Sequence, residues 1–340
     1  MEPVIGIDPH LDSFSLCAAD PVGRPIEIAT LGNTPSGWAE ALKTARRLEI
    51  TTVGIEGASG YGAALARHLS GAGIRIIDIP ARVTAAGRNR QAAGKTDPGD
   101  AQVIARALLE GFGSTWRNTP DLEALRVLTH HRERLVADQT RDINRIRALL
   151  VDIDPPRAAR LGRLRSTTAF NKLSRTRYTT SPHHQAAATI IRITASNCHR
   201  RLTQIRQLTR QITQHLPPAA HQLINHTHGL GPIGAATLLG ELAGTDGFTT
   251  QAQFARWTGT APLDASSGKQ QRHRLNRGGN RRINRVLHTI IITQARHHGE
   301  AAHYITRRTQ EGKTTKEAIR AAKRHLARRL WKQLHTLGLT

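Results

Sequence analysis

The first 112 residues contain five short runs of β-branched and apolar residues, and this pattern restricts the fold more than any other feature of the chain. The runs are VIGID, FSLCAAD, PIEIATL, TTVGIEG and IRIIDIP, separated by turn-forming Pro, Gly and Asn, and they predict five strands. Helices are predicted around GWAEALKTARRL, YGAALARHLSGAG and DPGDAQVIARALLEG. Three strands in succession, then helix, strand, helix, strand and helix, predict an α/β domain.

Four acidic residues stand at special places in this pattern. Asp8 ends the first strand, Glu56 ends the fourth, and Asp97 and Asp100 open the helix after the fifth. Because ligands of open α/β sheets bind beyond the carboxyl ends of the strands, these residues are expected to converge. Each also fits a structural role, since acidic residues cap helices and form turns.

Carboxylates that converge on one site repel one another, and a bound metal ion can neutralise this repulsion. Residues 1–112 hold 11 Lys or Arg and 12 Asp or Glu, so no excess of positive charge neutralises four packed carboxylates. Divalent cations hold such groups together, and hard oxygen ligands favour Mg²⁺ or Mn²⁺. Two such ions can clamp the attacking and leaving oxygens of a phosphodiester. The pattern is therefore typical of a metal-dependent nuclease site.

The excess of positive charge lies in the rest of the chain. Residues 113–340 hold 38 Lys or Arg and only 13 Asp or Glu. Such a block attracts phosphate backbones by Coulomb attraction and counterion release, which predicts a nucleic-acid partner. A membrane is not expected as a partner, because no amphipathic face pairs Trp or Phe with Lys and Arg.

The middle of the chain shows helical periodicity. Apolar residues recur at spacings of three and four at Leu122, Leu125, Leu128, Ile143, Ile146, Leu150, Ile205, Leu208, Ile212 and Leu216. Two long helices around a loop-rich segment from Pro155 to Pro182 predict an antiparallel coiled-coil hairpin, a common dimerisation device. The alternative is a monomeric helical spacer with a solvated charged face.

The segment GLGPIGAATLLGEL contains three closely spaced glycines, Gly229, Gly231 and Gly234. Glycines before a helix permit a tight turn and a close backbone approach to a phosphate. We interpret the segment as a helix-hairpin-helix-like nucleic-acid contact, and a plain turn between two helices is the alternative.

A second motif, LDASSGKQQRHRLNRGGNRRINR, combines serines with many cations. Ser266 and Ser267 precede Gly268, and seven basic residues follow: Lys269, Arg272, Arg274, Arg277, Arg281, Arg282 and Arg285. A cluster of cations around a phosphate can assist a serine nucleophile. By composition alone the motif is a basic loop with serines, and the arginines and the lysine are nucleic-acid-binding candidates.

The motifs GIDPH, GIEGASGYG and GKTDPGDA resemble the three acidic motifs of the DEDD transposases of bacterial insertion sequences, whose N-terminal domain is RuvC-like. The later motifs, from HGLGPIGAATLLGEL to NRRINRVLH, resemble the second domain of that family. This resemblance implies that Asp8, Glu56, Asp97 and Asp100 are both catalytic and metal-binding. It also implies an RNase H-like fold for the α/β domain and a mainly helical C-terminal domain.

The resemblance further implies a reaction and its partners. In the family, a serine beside the glycine of the serine-containing motif attacks DNA. Ser267 directly precedes Gly268, whereas counting back from GGN favours Ser266. The choice between these two serines as the nucleophile stays open. The resemblance implies that the partners are donor DNA, target DNA and a noncoding guide RNA. It also implies a homo-oligomer, either a dimer or a tetramer. The expected domains are residues 1–113, 114–218 and 219–340. A junction-resolving endonuclease using water is the alternative, and a third class is a binding protein with an inactive nuclease fold.

The remaining composition fits the interior of a bacterial cell. Cys17 and Cys198 form no CxxC pair or disulfide framework, and the N-terminus lacks a basic segment followed by an apolar run. We expect a cytoplasmic, nucleoid-associated protein. His297, His298 and His303 lack supporting ligands besides Glu300, so we expect no zinc site there.

Overall fold

The chain packs into two compact units. The computed structural model describes residues 2–88, 97–162, 164–178, 180–264, 273–274, 278–297 and 299–339. Unit 1 comprises the residues up to Pro120 together with Leu242–Thr249, and unit 2 comprises Asp121–Glu241 and Thr250–Leu339. The domain boundaries at residues 113 and 218 stay a prediction.

Unit 1 is built on a mixed sheet. Its strands are β1 (Val4–Pro9), β2 (Ser13–Ala19), β3 (Pro25–Gly32), β4 (Thr52–Glu56), β5 (Arg75–Ile79) and β6 (Ser114–Thr115), in the order β3-β2-β1-β4-β5-β6. The first three strands form an antiparallel meander, whereas β1, β4 and β5 are parallel. This mixed sheet, in which β1 to β5 follow one another along the chain as the sequence predicted, fits an RNase H-like domain.

Four helices of unit 1 surround the sheet. They are α1 (Pro35–Arg47), α2 (Ala63–Gly71), α3 (Ala81–Arg88) and α4 (Asp97–Leu109). Sequence periodicity predicts α1, α2 and α4 but not α3 or β6. The reason is length, because eight residues of α3 and two residues of β6 are too few to show a periodic apolar pattern.

The sheet buries apolar side chains on both faces. On one face, Ile7 and Ile55 belong to a core that includes Ala41 of α1 and Leu65 of α2. On the opposite face, Ile79 of β5 packs with Ile104 and Ala107 of α4. Because side chains alternate between faces along a strand, every second residue of β1, β4 and β5 points to α4.

Gly6 allows the backbone of α4 to lie directly on β1. A Cβ atom at Gly6 would lie 2.3 Å from both the carbonyl oxygen of Ala101 and the backbone nitrogen of Ala105. A methyl group there would collide with main-chain atoms, which cannot rotate away as a side chain does. The position of α4, and of the residues at its start, therefore depends on Gly6.

We expect Gly6→Ala to lower the free energy of unfolding by about 3 kcal/mol, because overpacking against a rigid backbone forces the helix to move. Chemical denaturation measures this change. Gly71→Ala is the matched control, since a Cβ at Gly71 meets no atom within 4 Å. Equal stabilities of the two variants would contradict the close approach of α4 to β1.

Unit 2 contains two long antiparallel helices, α5 (Pro120–Ile153) and α8 (Pro182–Gln214). Three side-chain pairs join them along their length: His183 with Asp152 at 2.7 Å, Arg201 with Asp142 at 2.7 Å, and Arg132 with Thr209 at 2.8 Å. The two helices thus form an antiparallel hairpin, whereas the coiled coil and its role in dimerisation stay predictions.

The segment between these helices is more ordered than its composition suggested. It contains α6 (Pro155–Arg160) and α7 (Thr167–Ser174), so the expected loop-rich segment is partly helical. The side chain of Asp154 accepts a hydrogen bond from the backbone of Arg157 at 3.0 Å, and that of Ser166 accepts one from Ala169 at 3.1 Å. These N-caps stabilise helices too short to be recognised by periodicity.

The C-terminal part of unit 2 is mainly helical. Its helices are α9 (Pro218–His226), α10 (Pro232–Glu241), α11 (Gln251–Trp257), α12 (Arg281–Arg296), α13 (Glu300–Gln310) and α14 (Thr315–Thr336), and two short strands, β7 (Leu263–Asp264) and β8 (His273–Arg274), pair antiparallel. Among the described residues, no helix has the length and apolar character required to cross a membrane.

Candidate active site

Two of the predicted acidic residues lie side by side at one edge of the unit 1 sheet. β1 and β4 pair in parallel from Ile5 beside Val53 to Ile7 beside Ile55. The same offset places Asp8 beside Glu56 on adjacent strands, whose backbones lie about 5 Å apart. By alternation with Ile7 and Ile55, both carboxylates point to the face that α4 covers.

The start of α4 lies at the same edge. The end of α4 packs near the beginning of β1, where Val4 shares a cluster with Leu108 and Leu109. Helix and strand therefore run in opposite directions, and the first turn of α4 lies beside the end of β1, where Asp8 stands. Asp100 in that turn is 3% exposed.

Asp97 begins α4, but its side chain lies outside the described part of the structure. The backbone places its position in the same helical turn as Asp100, as the spacing of three residues predicts. The structure thus brings the strand ends of Asp8 and Glu56 and the helical turn of Asp97 and Asp100 to one edge and one face of the sheet.

Glu56 and Asp8 each have a partner that sequence analysis missed. The hydroxyl of Thr84, which is fully buried in α3, donates a hydrogen bond to Glu56 Oε2 at 2.5 Å. The ring Nε2 of His10 lies 3.4 Å from Asp8 Oδ2. The GIDPH motif contains His10 and could have indicated it, whereas no sequence signal marks Thr84, because α3 itself is not predicted.

A further acidic residue, Asp78, was also missed. It lines a cavity of about 410 Å³ together with Asp8 and Glu56. However, Asp78 pairs in register with Ile55 and so points away from the face of Glu56. Its Oδ1 accepts a hydrogen bond from the backbone of Ala58 at 2.8 Å, which holds the loop after β4 in place. This contact indicates a structural role.

Asp8 and Glu56 are the ligand candidates that line this cavity on the face of α4, and they suit a hard cation. Among the described residues, no three His, Cys, Asp or Glu side chains form a metal-binding group, and Asp97 is outside that comparison. Mg²⁺ is commonly held by one or two carboxylates, several waters and the phosphates of a substrate. The pair of Asp8 and Glu56 therefore fits such an ion.

The serine motif begins with β7, includes β8 and ends in α12, and its two serines fall in sequence between β7 and β8. Leu263 pairs with Arg274, and Asp264 with His273, so the eight intervening residues connect two strands of a hairpin. Ser266, Ser267, Gly268, Lys269, Arg272 and Arg277 lie outside the described residues, as does the side chain of Arg274. The predicted roles of these residues stay predictions.

We call β7, β8 and the residues that connect them the serine hairpin. The chain segments that lead into and out of this hairpin contact each other at its base. The backbone nitrogen of Asn280 donates to the carbonyl of Trp257 at 2.6 Å. Gly279 crosses Gly259 so closely that a Cβ at Gly279 would lie 2.3 Å from the backbone nitrogen of Gly259. The base of the hairpin is therefore fixed by main-chain contacts that only glycine permits.

Two polar side chains, half-buried Asn284 and buried Lys323, support this base. Asn284 donates to the carbonyls of Thr258 at 2.9 Å and Gly259 at 3.2 Å, and it accepts a hydrogen bond from Lys323 Nζ at 2.8 Å. Lys323 is 7% exposed, and burial lowers its pKa. Because buried polar groups are costly when unpaired, the network favours one arrangement of the strand ends.

A second network holds the start of α12, where the serine motif ends. The side chain of Asn280 caps α12 by accepting hydrogen bonds from the backbone of Arg282 at 3.0 Å and Ile283 at 3.1 Å. Its amide donates to Glu241, whose other carboxylate oxygen contacts His130. Through these contacts, helices α5, α10 and α12 are joined at the end of the serine motif.

The glycine motif and two of the predicted arginines line one cavity. Gly229, Gly231 and Gly234 contribute to a cavity of about 690 Å³ in unit 2 together with Arg282 and Arg285 of α12. Gly229 has a φ of 86°, a conformation that favours glycine. Two motifs that are distant in sequence thus meet on one surface, beside the turn between α9 and α10.

Glu133 of α5 binds both of these arginines. Its two carboxylate oxygens accept hydrogen bonds from Arg282 Nε at 2.8 Å and from Arg285. Burial raises the pKa of Glu133, but the hydrogen bonds from Arg285 and Arg282 outweigh this and hold it below its usual value. Arg281 is exposed at the start of α12.

The histidines near the C-terminus form no metal group among the described residues. His297 packs edge-on against His228, with ring centroids 6.4 Å apart, and His303 is exposed on α13. His298 lies outside the described residues.

Comparison with known proteins places the chain among insertion-sequence proteins. Residues 5–155 match the DEDD transposase family model of the IS110 type, and residues 221–306 match the transposase family IS116/IS110/IS902. The first match contains all four acidic candidates, and the second contains the glycine and serine motifs.

Relatives match over long stretches. An insertion element IS116 protein of Streptomyces clavuligerus is 24% identical over 97% of this chain and 94% of its own length. An insertion element IS900 protein of Mycobacterium paratuberculosis is 27% identical over 81% of this chain and 80% of its own. A probable family 20 transposase of Pseudomonas aeruginosa is 28% identical over 59% of each chain.

A solved structure of T. thermophilus RuvC in complex with a Holliday junction substrate covers 34% of this chain and 99% of its own at 15% identity. Its TM-score of 0.28 is too low for any inference about this chain. The two family matches and the long alignments carry the assignment, and they agree with the acidic motifs recognised in the sequence. The chain belongs to the IS110-type family of insertion-sequence transposases.

Proposed function

We propose that this protein is a site-specific DNA recombinase that cuts and rejoins strands with a metal-binding carboxylate site and a serine nucleophile. One observation carries the proposal: the parallel pairing of β1 and β4 sets Asp8 beside Glu56, on the face and at the edge where α4 begins with Asp97 and Asp100. Scattered structural carboxylates would not be expected to share one edge and one face.

Asp8 and Glu56 would hold a divalent cation, Mg²⁺ or Mn²⁺, for which their hard oxygens are suited, and the family resemblance adds Asp97 and Asp100 as ligands. When bound, the ion would polarise the scissile phosphate and stabilise charge that develops on its oxygens. Thr84 orients Glu56 by its hydrogen bond, and Gly6 sets the depth at which α4 lies on β1. Both residues position the carboxylates without contacting the substrate.

The serine, Ser267 or Ser266, is the proposed nucleophile. Its Oγ forms a bond to phosphorus while the bond from phosphorus to the leaving DNA oxygen breaks, and the hydroxyl proton passes overall to that oxygen. One phosphodiester is exchanged for another, so the second DNA end can reverse the step and rejoin without an external energy source. The networks at Asn280 and Asn284 hold the ends of the serine hairpin during these exchanges.

The proposed partners are donor DNA, target DNA and a noncoding guide RNA, acting with a homo-oligomer of the protein. The concentration of positive charge in residues 113–340 supports nucleic-acid binding, and the family resemblance supports the guide RNA and the oligomer. When a paired RNA reads the sequence, the protein needs little base readout of its own.

Metal removal tests this function directly. We expect protein made in cells that carry the gene with its flanking noncoding DNA to cut donor and target duplexes in Mg²⁺ or Mn²⁺. Cutting should stop in EDTA because the carboxylates then lack their cation, whereas duplex binding at matched ionic strength should persist. Gel analysis of labelled strands measures both. Strand cutting that continues in EDTA would refute the proposed site.

A further inference from the structure

Most of the segment between α5 and α8 carries only positive charge. Residues 155–181, which we name the basic cap, contain seven Arg or Lys and no Asp or Glu. The cap closes the end of the long helical hairpin. It also falls between the two family matches, which end at residue 155 and resume at residue 221.

The basic cap packs into a core that it shares with α5 and α8. Leu164, Phe170 and Leu173 are buried in one cluster, which also contains Leu150 of α5 and Ile191 of α8. The short helices α6 and α7 are both N-capped, by the residues that precede them. The cap is therefore a packed element, anchored by its apolar side chains to the ends of α5 and α8.

One cation of the cap serves this internal structure. Arg157 donates hydrogen bonds to the hydroxyl of Tyr178 at 3.2 Å and to Thr176 at 3.0 Å, while Tyr178 donates to Asp154. The neighbouring carboxylate, Asp152, contacts His183 of α8. Both carboxylates next to the cap in sequence are thus engaged in hydrogen bonds. The hydrogen bond from Tyr178 and, after it, the charges of Arg157 and Arg160 lower the pKa of Asp154.

The other described cations of the cap point outward. Five are exposed: Arg160, Arg165, Lys172, Arg175 and Arg177. In the part of the chain that the structure describes, none of the five forms an ion pair with a carboxylate. Holding five like charges on a small packed element costs free energy unless a partner supplies the opposite charge.

We propose that the basic cap is a second nucleic-acid contact, which binds the phosphodiester backbone of a duplex apart from the arginines of α12. Among the described residues of the cap, no large apolar side chain is exposed, which disfavours membrane insertion and a hydrophobic protein interface. The exposed guanidinium groups, and the ammonium group of Lys172, can each contact a phosphate of a duplex backbone. The choice of partner rests on the proposed function.

The test compares two variants with the same change of charge. The cap variant carries Gln at the five exposed cap positions, and the control variant carries Arg24→Gln, Lys43→Gln, Arg46→Gln, Arg67→Gln and Arg75→Gln, which are exposed positions of unit 1. Arg157 is retained because it stabilises the cap. Circular dichroism and thermal unfolding check that both variants fold.

Binding is measured by fluorescence anisotropy over a range of salt concentrations, with a labelled DNA duplex in one arm and an RNA duplex of the same sequence in the other. Because each phosphate contact contributes about 0.9 to the salt slope on DNA, the cap variant should lose about 4 from the slope of log K against log salt. The control variant should lose less than about 1. The arm with the larger loss identifies the duplex that the cap binds.

Equal losses in the two variants would overturn the proposal, because net charge alone would then explain binding. A loss of binding to phosphatidylserine vesicles, with both duplexes bound normally, would also overturn it in favour of a membrane contact. If wild type binds duplexes with a steep salt dependence but the cap variant matches it, only the cap proposal fails. Absence of salt-dependent binding by wild type would refute both the cap and the proposed function.

Discussion

Asp8→Asn and Glu56→Gln are each expected to lower the rate of DNA strand cutting by about a thousandfold, since the loss of a metal ligand removes several kcal/mol of transition-state stabilisation. Both substitutions keep the shape of the side chain and remove its charge. Duplex affinity should change little, because the excess of positive charge lies behind residue 112. Single-turnover cutting of labelled DNA measures the rate.

Protein stability separates loss of chemistry from loss of structure. Asp8, Glu56 and the acidic turn of α4 share one edge, and like charges repel, so removal of one charge should not lower the melting temperature. Asp12→Asn is the matched control, because Asp12 is an exposed acid on the loop after β1, and this variant should cut DNA at the normal rate. A double variant of Asp8 and Glu56 that recombines at the wild-type rate would refute the carboxylate site.

Ser267→Ala is expected to abolish a covalent link between protein and DNA that wild type forms. If serine oxygen attacks phosphorus, the intermediate is a phosphodiester between the protein and one DNA end, and it survives denaturation. The experiment incubates the protein with RNA, labelled DNA and Mg²⁺, denatures the mixture, and measures label that migrates with protein. Ser196→Ala on α8 is the control, since Ser196 is exposed and remote in sequence from the motif.

The two serines of the motif are distinguished by the same gel. Loss of the linked species in Ser267→Ala alone identifies Ser267, and loss in Ser266→Ala alone identifies Ser266. Cut DNA ends without linked protein in any sample would contradict a serine nucleophile. That outcome would instead favour the junction-resolving alternative, in which the same carboxylates act with water.

Local sequence signals determined the outline of unit 1. The β-branched runs and the turn residues between them predicted β1 to β5, and helical periodicity predicted α1, α2 and α4. These signals suffice because a strand or helix with a buried face must repeat apolar residues at a fixed spacing. The places of Asp8 and Glu56 at strand ends followed from the same pattern.

Contacts between distant residues were beyond that analysis. The hydrogen bond from Thr84 to Glu56 joins α3 to β4, and the carboxylate of Glu133 on α5 binds arginines of α12. Arg282 and Arg285 look like free phosphate ligands in the sequence, but an internal carboxylate binds both in the folded chain. No spacing rule predicts such a pair, because it depends on how separate helices pack.

The sequence by itself therefore determined the family, the strands and helices with repeated apolar faces, and the acidic residues at the ends of β1 and β4 and at the start of α4. Only the tertiary structure decided that Gly6 lets α4 lie against β1, that Asp78 points away from Glu56, and that the glycine turn meets α12 at one cavity. The physical reason is the range of the interactions: periodicity reports burial along one element, whereas strand register and helix packing set which elements meet and which side chains face each other.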